Sequence, residues 1–289
     1  MFVKRTSGAL TYFVSPLLEK HGFRHGFFTR FGGVSTGVFD SLNVSAARKD
    51  QAGQTDSRAH IEENYRRALG VFGIAPENAA TTKQQHTALV RTAGKEDGGR
   101  GVKADKNWDD GFDALIVRPD SPVRAACVKT ADCVPVLLAN IRTGAACAVH
   151  AGWRGTVAGI AEKAAAGLAD GRPEDLVAAV GPAIGLCCYE VGEEVVSAVK
   201  NALRFRSANF DTDTLFMTVA ACSLGGKVHV DLARANAAIL TLCGVPEENI
   251  DLARICTACY TDGDTRPFFS HRASGGYSGT FVSLVEARV

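Results

Sequence analysis

Residues 123–155 read VRAACVKTADCVPVLLANIRTGAACAVHAGWRG, and they contain two apolar runs, 134–139 and 145–149. A five-residue connection, 140–144, separates the runs and ends in glycine. Two apolar runs joined by a short glycine-containing loop are typical of a β-hairpin. We therefore predict a hairpin around which the rest of the chain is organised.

The predicted register of this hairpin brings a thiol close to an imidazole. If Ala139 faces Ala145, then Cys133 lies opposite Ala151, one position from His150. Facing side chains on antiparallel strands have Cβ atoms about 4.5–5.5 Å apart, and diagonal neighbours remain within reach. We expect Cys133 and His150 to meet at the open end of the hairpin.

A cysteine in contact with a histidine allows two kinds of chemistry. The pair can bind Zn²⁺ as thiolate and neutral imidazole, or the imidazole can deprotonate the thiol to give a nucleophile. The alternative is a buried cysteine beside a histidine that only ends a strand. The glycine-rich continuation AGWRG, residues 151–155, favours a functional site, because a strand that simply ends needs no such sequence.

The composition is that of an ordinary globular protein, with 289 residues, 46% hydrophobic and 22% charged. The formal net charge of +1 gives no electrostatic basis for binding nucleic acid or an anionic membrane. No apolar run has the length of a membrane span, and we see no signal peptide. The odd number of cysteines, nine, indicates reduced thiols, so we expect a cytoplasmic protein.

Predicted strands and helices interleave along the chain, which favours a single mixed α/β domain over residues 1–289. Residues 176–180 are a predicted strand. Residues 156–169 are predicted as one helix, because apolar residues recur there every three or four positions. A further helix is expected over 231–242, with Asp231 as its N-terminal cap.

The loop-like segment TRFGGVSTG, residues 29–37, has three glycines among polar residues. Arg30 beside free backbone N–H groups suits an anion such as phosphate, although a surface turn with a solvated arginine has the same pattern. His86 follows a polar run, and a lone histidine there is more often structural than a metal ligand.

Two further cysteine pairs carry weaker signals. The adjacent residues Cys187 and Cys188 cannot easily point at one metal ion, so we expect them to be structural. Cys256 and Cys259 have a metal-like C-x-x-C spacing, but no second C-x-x-C and no nearby histidine pair completes it.

Seven segments carry a family resemblance, and they are 30–35 with 42–43, 83–86, 113–115, 130–135, 150–155, 181–185 with 188–191, and 231–232. Together they resemble the bacterial YfiH/YlmD family, also called the multicopper polyphenol oxidase or laccase-domain family, which includes the human purine-metabolism protein FAMIN. The most specific pair is TADCVP and HAGWRG, with Cys133 and His150 17 positions apart. The resemblance extends from about Thr29 to the C-terminus.

The resemblance implies an α-β-β-α layered fold akin to the catalytic domain of cytotoxic necrotizing factor. It implies that His86, Cys133 and His150 bind one Zn²⁺ and leave a fourth position open. The implied activity is phosphorolysis of adenosine, inosine and related purine nucleosides to base and ribose 1-phosphate, with adenosine deamination alongside. We expect nucleosides and phosphate as partners, and a monomer or small homo-oligomer.

The chain departs from the family pattern after His86 and near the C-terminus. Thr87 follows the histidine where glycine is usual, and Ala273 and Thr280 stand where C-terminal arginines are usual. Phosphorolysis requires a cradle for phosphate, for which Arg30 is the first candidate. The other candidates for substrate binding are Gly33, Asn43, Gln84, Arg154 and Arg272.

Other functions fit parts of the pattern. A metal-free hydrolase or deamidase would use Cys133 as nucleophile and His150 as base. A copper-dependent polyphenol oxidase would need many histidine ligands, and the seven histidines are scattered, so copper is the less favoured metal. A non-catalytic interaction module is expected only if the site proves to be closed.

Overall fold

The computed structural model describes residues 1–206, 212–222 and 226–289, and within these ranges it contains fifteen strands and seven α-helices. The strands are β1 (Val3–Ser7), β2 (Leu10–Val14), β3 (His25–Phe28), β4 (Ala79–Thr81), β5 (Val90–Thr92), β6 (Ala114–Val117), β7 (Ala125–Thr130), β8 (Val134–Asn140), β9 (Ala146–Ala151), β10 (Leu176–Val180), β11 (Glu190–Val191), β12 (Ala220–Cys222), β13 (Val228–Val230), β14 (Ile250–Leu252) and β15 (Phe281–Glu286). The helices are α1 (Pro16–Lys20), α2 (Arg58–Gly70), α3 (Trp153–Val157), α4 (Ile160–Ala169), α5 (Glu193–Arg206), α6 (Thr212–Val219) and α7 (Leu232–Leu242).

Most strands belong to two six-stranded sheets. The first has the order β1-β2-β3-β15-β7-β4, and its edge strand β4 is parallel to β7. The second has the order β14-β10-β8-β9-β6-β5, with parallel pairs at both edges, β10 with β14 and β5 with β6. A small third sheet has the order β11-β13-β12.

The apolar side chains form three cores that separate the structure into layers. The two large sheets pack on each other through a core that includes Phe281 and Leu137. On the outer face of the first sheet, α2 buries Tyr65. On the outer face of the second sheet, α4 and α7 bury Leu168 and Ile239. This arrangement agrees with the predicted α-β-β-α layering.

The central hairpin forms as predicted, but its register differs by one residue. Ala139 faces Ala146 instead of Ala145. The side chain of Asn140 accepts hydrogen bonds from two backbone N–H groups of the loop, at 3.0 Å each, and so stabilises a connection one residue longer than expected. Every facing pair moves accordingly, and Cys133 lies just before the last pair of the hairpin.

The single helix predicted over 156–169 is wrong, because the chain breaks between α3 and α4. Gly159, at the break, has a φ of +82°, a left-handed conformation that glycine adopts most readily. Asp231 caps α7 as predicted, since its carboxylate accepts the N–H of Arg234 at 2.9 Å. Within the described ranges, none of the helices has both the length and the apolar character needed to cross a membrane.

Candidate metal centre

Three side chains from separate segments meet at the open end of the central hairpin. His86 lies in the loop between β4 and β5, Cys133 just before β8, and His150 in β9. One ligating atom from each lies within 4.8 Å of the others, and the two imidazole ring centroids are 4.9 Å apart. The structure thus brings together the three residues that the family resemblance implies as metal ligands.

A buried carboxylate, Asp113, orients both histidines. One of its oxygens lies 2.7 Å from Nδ1 of His150 and accepts the backbone N–H of His86 at 3.0 Å. The other accepts the N–H and the hydroxyl of Thr87 at 2.7 and 2.8 Å. Because Nδ1 of His150 is engaged, Nε2 remains for a metal, the arrangement that carboxylates commonly give to ligating histidines.

The backbone around the centre is shaped to bring the ligands close. His86 has a φ of 58°, which is uncommon for a residue other than glycine, and the bonds to Asp113 hold this turn. The backbone of Gly152 lies directly against two of these side chains. A Cβ at this position would lie 2.6 Å from Nδ1 of His86 and 3.1 Å from Sγ of Cys133. The glycine of the HAGWRG segment therefore makes room for the ligand set.

The electrostatic surroundings differ between the two histidines. Burial lowers the pKa of His86 and favours the neutral imidazole that a metal requires. Burial acts in the same direction on His150, but the neighbouring Cys133 and Asp113 outweigh it and raise the pKa of His150 to about 9. A cation bound here would displace that proton, since ligating imidazoles must be neutral.

A cavity of about 660 Å³ opens onto the centre, and His86, Cys133 and His150 are part of its wall. Its cationic wall residues are Arg48, Arg58, Lys83 and Lys129. Among the described residues of this wall there is no aspartate or glutamate. The volume is that of a typical small-molecule site, and the excess of positive charge favours an anionic ligand.

Lys129 is the cavity cation whose charge is most affected by its surroundings. Burial lowers its pKa to about 8, and its Nζ donates to the carbonyl of Thr82 at 2.6 Å.

Gln84, predicted to bind substrate, lines the same cavity. Its amide, however, bonds both backbone groups of Lys129, at 2.8 and 2.6 Å, so Gln84 positions this lysine.

The structure does not bring Arg30 and Gly33 to the cavity wall, and the predicted phosphate cradle between them is not formed. The Nε of Arg30 donates to the carbonyl of Asp40 at 2.6 Å, and its guanidinium lies over the ring of Phe269. The N–H of Gly33 donates to the hydroxyl of Ser41 at 3.0 Å. Both groups are thus occupied by the protein itself.

Asn43 is fully buried and lies behind the wall. Its amide donates to Asp56 at 2.8 Å and accepts the N–H of Thr280, a wall residue, at 2.9 Å. Asn43 therefore holds the wall in place, and it does not reach a ligand in the cavity.

Arg154 and Arg272 also lie outside the wall of the cavity. Arg154 lies over the ring of Trp153, and the guanidinium of Arg272 donates to the carbonyls of Cys188 and Glu190 at 3.2 and 3.0 Å. The structure thus leaves the four cations of the wall as the candidates for binding an anion.

Asp113 and the cavity cations were not predicted as site residues. For Asp113 a signal was present, because a carboxylate that directly precedes the apolar strand β6 needs a buried partner. Arg48, Arg58 and Lys129 lie outside the motif segments, in a loop, in α2 and in β7, and only the tertiary fold brings them to one cavity.

Comparison with known proteins gives the family. Residues 24–288 match the family described as "Multi-copper polyphenol oxidoreductase laccase". The chain belongs to this family. A purine nucleoside phosphorylase of Bacteroides thetaiotaomicron is 34% identical over 262 residues, 90% of this chain and 89% of the relative. Adenosine deaminase RL5, from an unknown prokaryotic organism, is 34% identical over 74% of this chain and 77% of its own length.

Solved structures confirm the fold. The crystal structure of YlmD from Geobacillus stearothermophilus matches this chain with a TM-score of 0.83 and 29% identity, over the whole length of both chains. The predicted family membership and α/β class are therefore confirmed.

Proposed function

We propose that the chain is a zinc-dependent purine nucleoside phosphorylase that also deaminates adenosine. The observation that carries the proposal is a His-Cys-His ligand set at a cation-lined cavity of suitable size. Relatives named for the two activities are each 34% identical to this chain and cover most of it. These relatives support purine nucleosides and phosphate as the substrates.

The donor set fits zinc. Two imidazoles and one thiolate leave a fourth position free, which is the pattern of catalytic zinc sites. Copper oxidases use more histidines, and among the described residues this cluster contains only His86 and His150. When bound, zinc supplies Lewis acidity that activates an oxygen nucleophile.

The protein's own residues supply positioning and charge. Arg48, Arg58 and Lys129 neutralise phosphate and hold it beside the metal centre, so that its oxygen faces the anomeric carbon of the ribose. A carbon–oxygen bond forms there as the bond to the purine nitrogen breaks, which leaves ribose 1-phosphate and the base. In the deaminase reaction water replaces phosphate as the nucleophile, adds to C6 of adenosine, and ammonia leaves.

One observation favours a second candidate, a metal-free thiol hydrolase. The pKa of His150 is raised by Cys133 and Asp113, as in a thiolate–imidazolium pair that attacks a carbonyl. A thiol hydrolase does not need His86 beside Cys133 and His150, whereas a metal centre does. We therefore give the position of His86 more weight than the raised pKa of His150.

Reduced thiols are needed at the proposed centre. Cys133 and the buried residues Cys127 and Cys147 form no disulfide, which supports the proposed cytoplasmic location. The single-domain organisation and the monomeric or small homo-oligomeric state stay predictions.

Product analysis tests the function. Zinc-loaded protein is incubated with adenosine and with inosine, each with and without phosphate. We expect base and ribose 1-phosphate only when phosphate is present, inosine from adenosine in either case, and loss of both activities in His86→Ala. Activity that survives chelation of the metal but is lost in Cys133→Ser would support the thiol hydrolase, and an absence of any nucleoside product would contradict both.

A further inference from the structure

Four cysteines bring their sulfurs together outside the centre described above. Cys187 and Cys188 lie in the loop after β10, and Cys256 and Cys259 lie in the loop after β14. The four Sγ atoms all lie within 4.8 Å of one another, and those of Cys187 and Cys259 are 3.4 Å apart. The expectation that the adjacent pair could not point at one centre is wrong.

The topology of the second sheet explains this convergence. Because β10 and β14 are parallel neighbours, both loops leave the sheet at the same edge. The loops remain paired, with Ala183 opposite Cys256 and the N–H of Thr257 bonded to the carbonyl of Ala183 at 3.0 Å. A turn in which the N–H of Cys188 bonds the carbonyl of Gly185 then folds the adjacent cysteines towards the other pair.

The spacing of the sulfurs fits a single tetrahedral ion. With zinc–sulfur bonds of about 2.3 Å, the sulfurs of such a site are about 3.8 Å apart, which is within the observed range. Disulfides would need sulfurs about 2.0 Å apart, in two separate pairs. Apolar packing does not explain the convergence, because Cys187 and Cys259 are exposed.

We propose that Cys187, Cys188, Cys256 and Cys259 bind one Zn²⁺ as a second, structural metal site. Four thiolates complete a tetrahedral shell and leave no position for a substrate. This site does not depend on the proposed activity, and it lies in different loops from the ligands of the first.

Groups around the sulfurs are arranged as the surroundings of a bound metal require. The N–H of Gly185 donates to Sγ of Cys256 at 3.2 Å, and such bonds stabilise a ligating thiolate. Zinc with four thiolates carries a net charge of −2, and the guanidinium of Arg272 donates to the carbonyl of Cys188 at 3.2 Å. A positive charge therefore lies beside the negative site.

The site is positioned to stabilise the first metal centre. Thr257, which lies between two of the cysteines, donates its hydroxyl to Asp132 at 2.7 Å. The carbonyl of Asp132 accepts the backbone N–H of Ile184 at 2.9 Å. The carboxylate of Asp132 accepts the backbone N–H of Arg272 at 2.7 Å. Asp132 directly precedes Cys133, so an ion that fixes both loops also restrains this ligand.

Metal analysis tests the proposal. We expect elemental analysis to find two zinc ions per chain in the purified protein. Cys187→Ser combined with Cys259→Ser should lose one of them, and His86→Ala should lose the other. Cys243→Ser, which removes a cysteine outside the cluster, is the matched control and should retain both.

Cobalt substitution identifies the ligands without relying on activity. Cobalt(II) loaded into the wild-type protein should give the strong sulfur-to-cobalt charge-transfer absorption of a four-thiolate site. This absorption should persist in His86→Ala and disappear in the double cysteine variant. A single zinc ion in the wild-type protein that His86→Ala loses, iron in place of zinc, or a cobalt spectrum of the wild type without four-sulfur character would each overturn the proposal, even if the double variant fails to fold.

Discussion

Two clusters of side chains with the donor atoms for a metal ion lie beside the second sheet, and they differ in the number of donors and in their access to a cavity. The first has three proposed ligands, His86, Cys133 and His150, and faces a cavity. The second has four cysteines. Three protein ligands with an open position are typical of catalytic zinc, and four are typical of structural zinc.

The groups that hydrogen-bond to the two clusters also differ. The first is oriented by a carboxylate, Asp113, which bonds a ligand imidazole and the loop of another ligand. The second is surrounded by backbone groups such as the N–H of Gly185. A carboxylate raises the basicity of an imidazole ligand, whereas backbone bonds mainly hold a loop in place. The comparison predicts that substitutions at the first cluster affect catalysis and those at the second affect stability.

The largest contrast is expected between Cys133→Ser and Cys256→Ser. Loss of the Lewis acid removes several kcal/mol of transition-state stabilisation, so Cys133→Ser should lower kcat/KM for phosphorolysis by about 10³-fold or more. Cys256→Ser should leave kcat/KM within about threefold, but it should lower Tm by on the order of 5–10 °C, as expected when a chain of this size loses a few kcal/mol.

Steady-state kinetics and thermal unfolding of both variants, measured beside the wild-type protein, check this contrast. Equal losses of activity in the two variants would show that the second cluster is not merely structural. Unchanged Tm in Cys256→Ser would show that the cluster contributes nothing to stability.

A smaller effect is expected for Asp113→Asn, which keeps the shape of the side chain but removes its charge. The carboxylate orients His150 and the His86 loop, so zinc affinity should fall about 10–100-fold. Competition with a chelator measures this change. Asp97→Asn is the matched control, since Asp97 is a buried carboxylate that accepts the N–H of Gly94 and pairs with Arg91 and Arg100, away from the ligands. An equal loss of affinity in both variants would contradict the role of Asp113.

Local features of the fold could be predicted from the sequence. Residues 176–180 form a strand at the predicted bounds, and Asp231 caps its helix, because both depend on residues close in the chain. The hairpin register was missed by one residue, since it depends on bonds that the side chain of Asn140 makes within the loop.

The sites were harder to predict because they depend on distant pairings. Cys133 and His150 could be brought together from one hairpin, but His86 was added only by the family resemblance. The four-cysteine cluster requires β10 and β14 to be parallel neighbours, and no local pattern indicates that pairing. Arg30 has a loop sequence suited to an anion, yet its guanidinium bonds Asp40 and lies over Phe269.

The smallest predicted effect concerns Lys129, a cation of the cavity wall beside the first cluster. Burial is the main cause that lowers the pKa of Lys129 to about 8; Arg58 acts in the same direction, and Cys127 and Asp113 act against it. Lys129 is therefore charged at pH 7 and loses its proton as the pH rises through 8, so KM for phosphate should rise up to about tenfold by pH 9. In Lys129→Arg the charge persists and the rise should disappear, while adenosine deamination, which uses no phosphate, should show no such dependence in either protein. The same rise in Lys129→Arg would assign the titration to another group and remove Lys129 from the anion site.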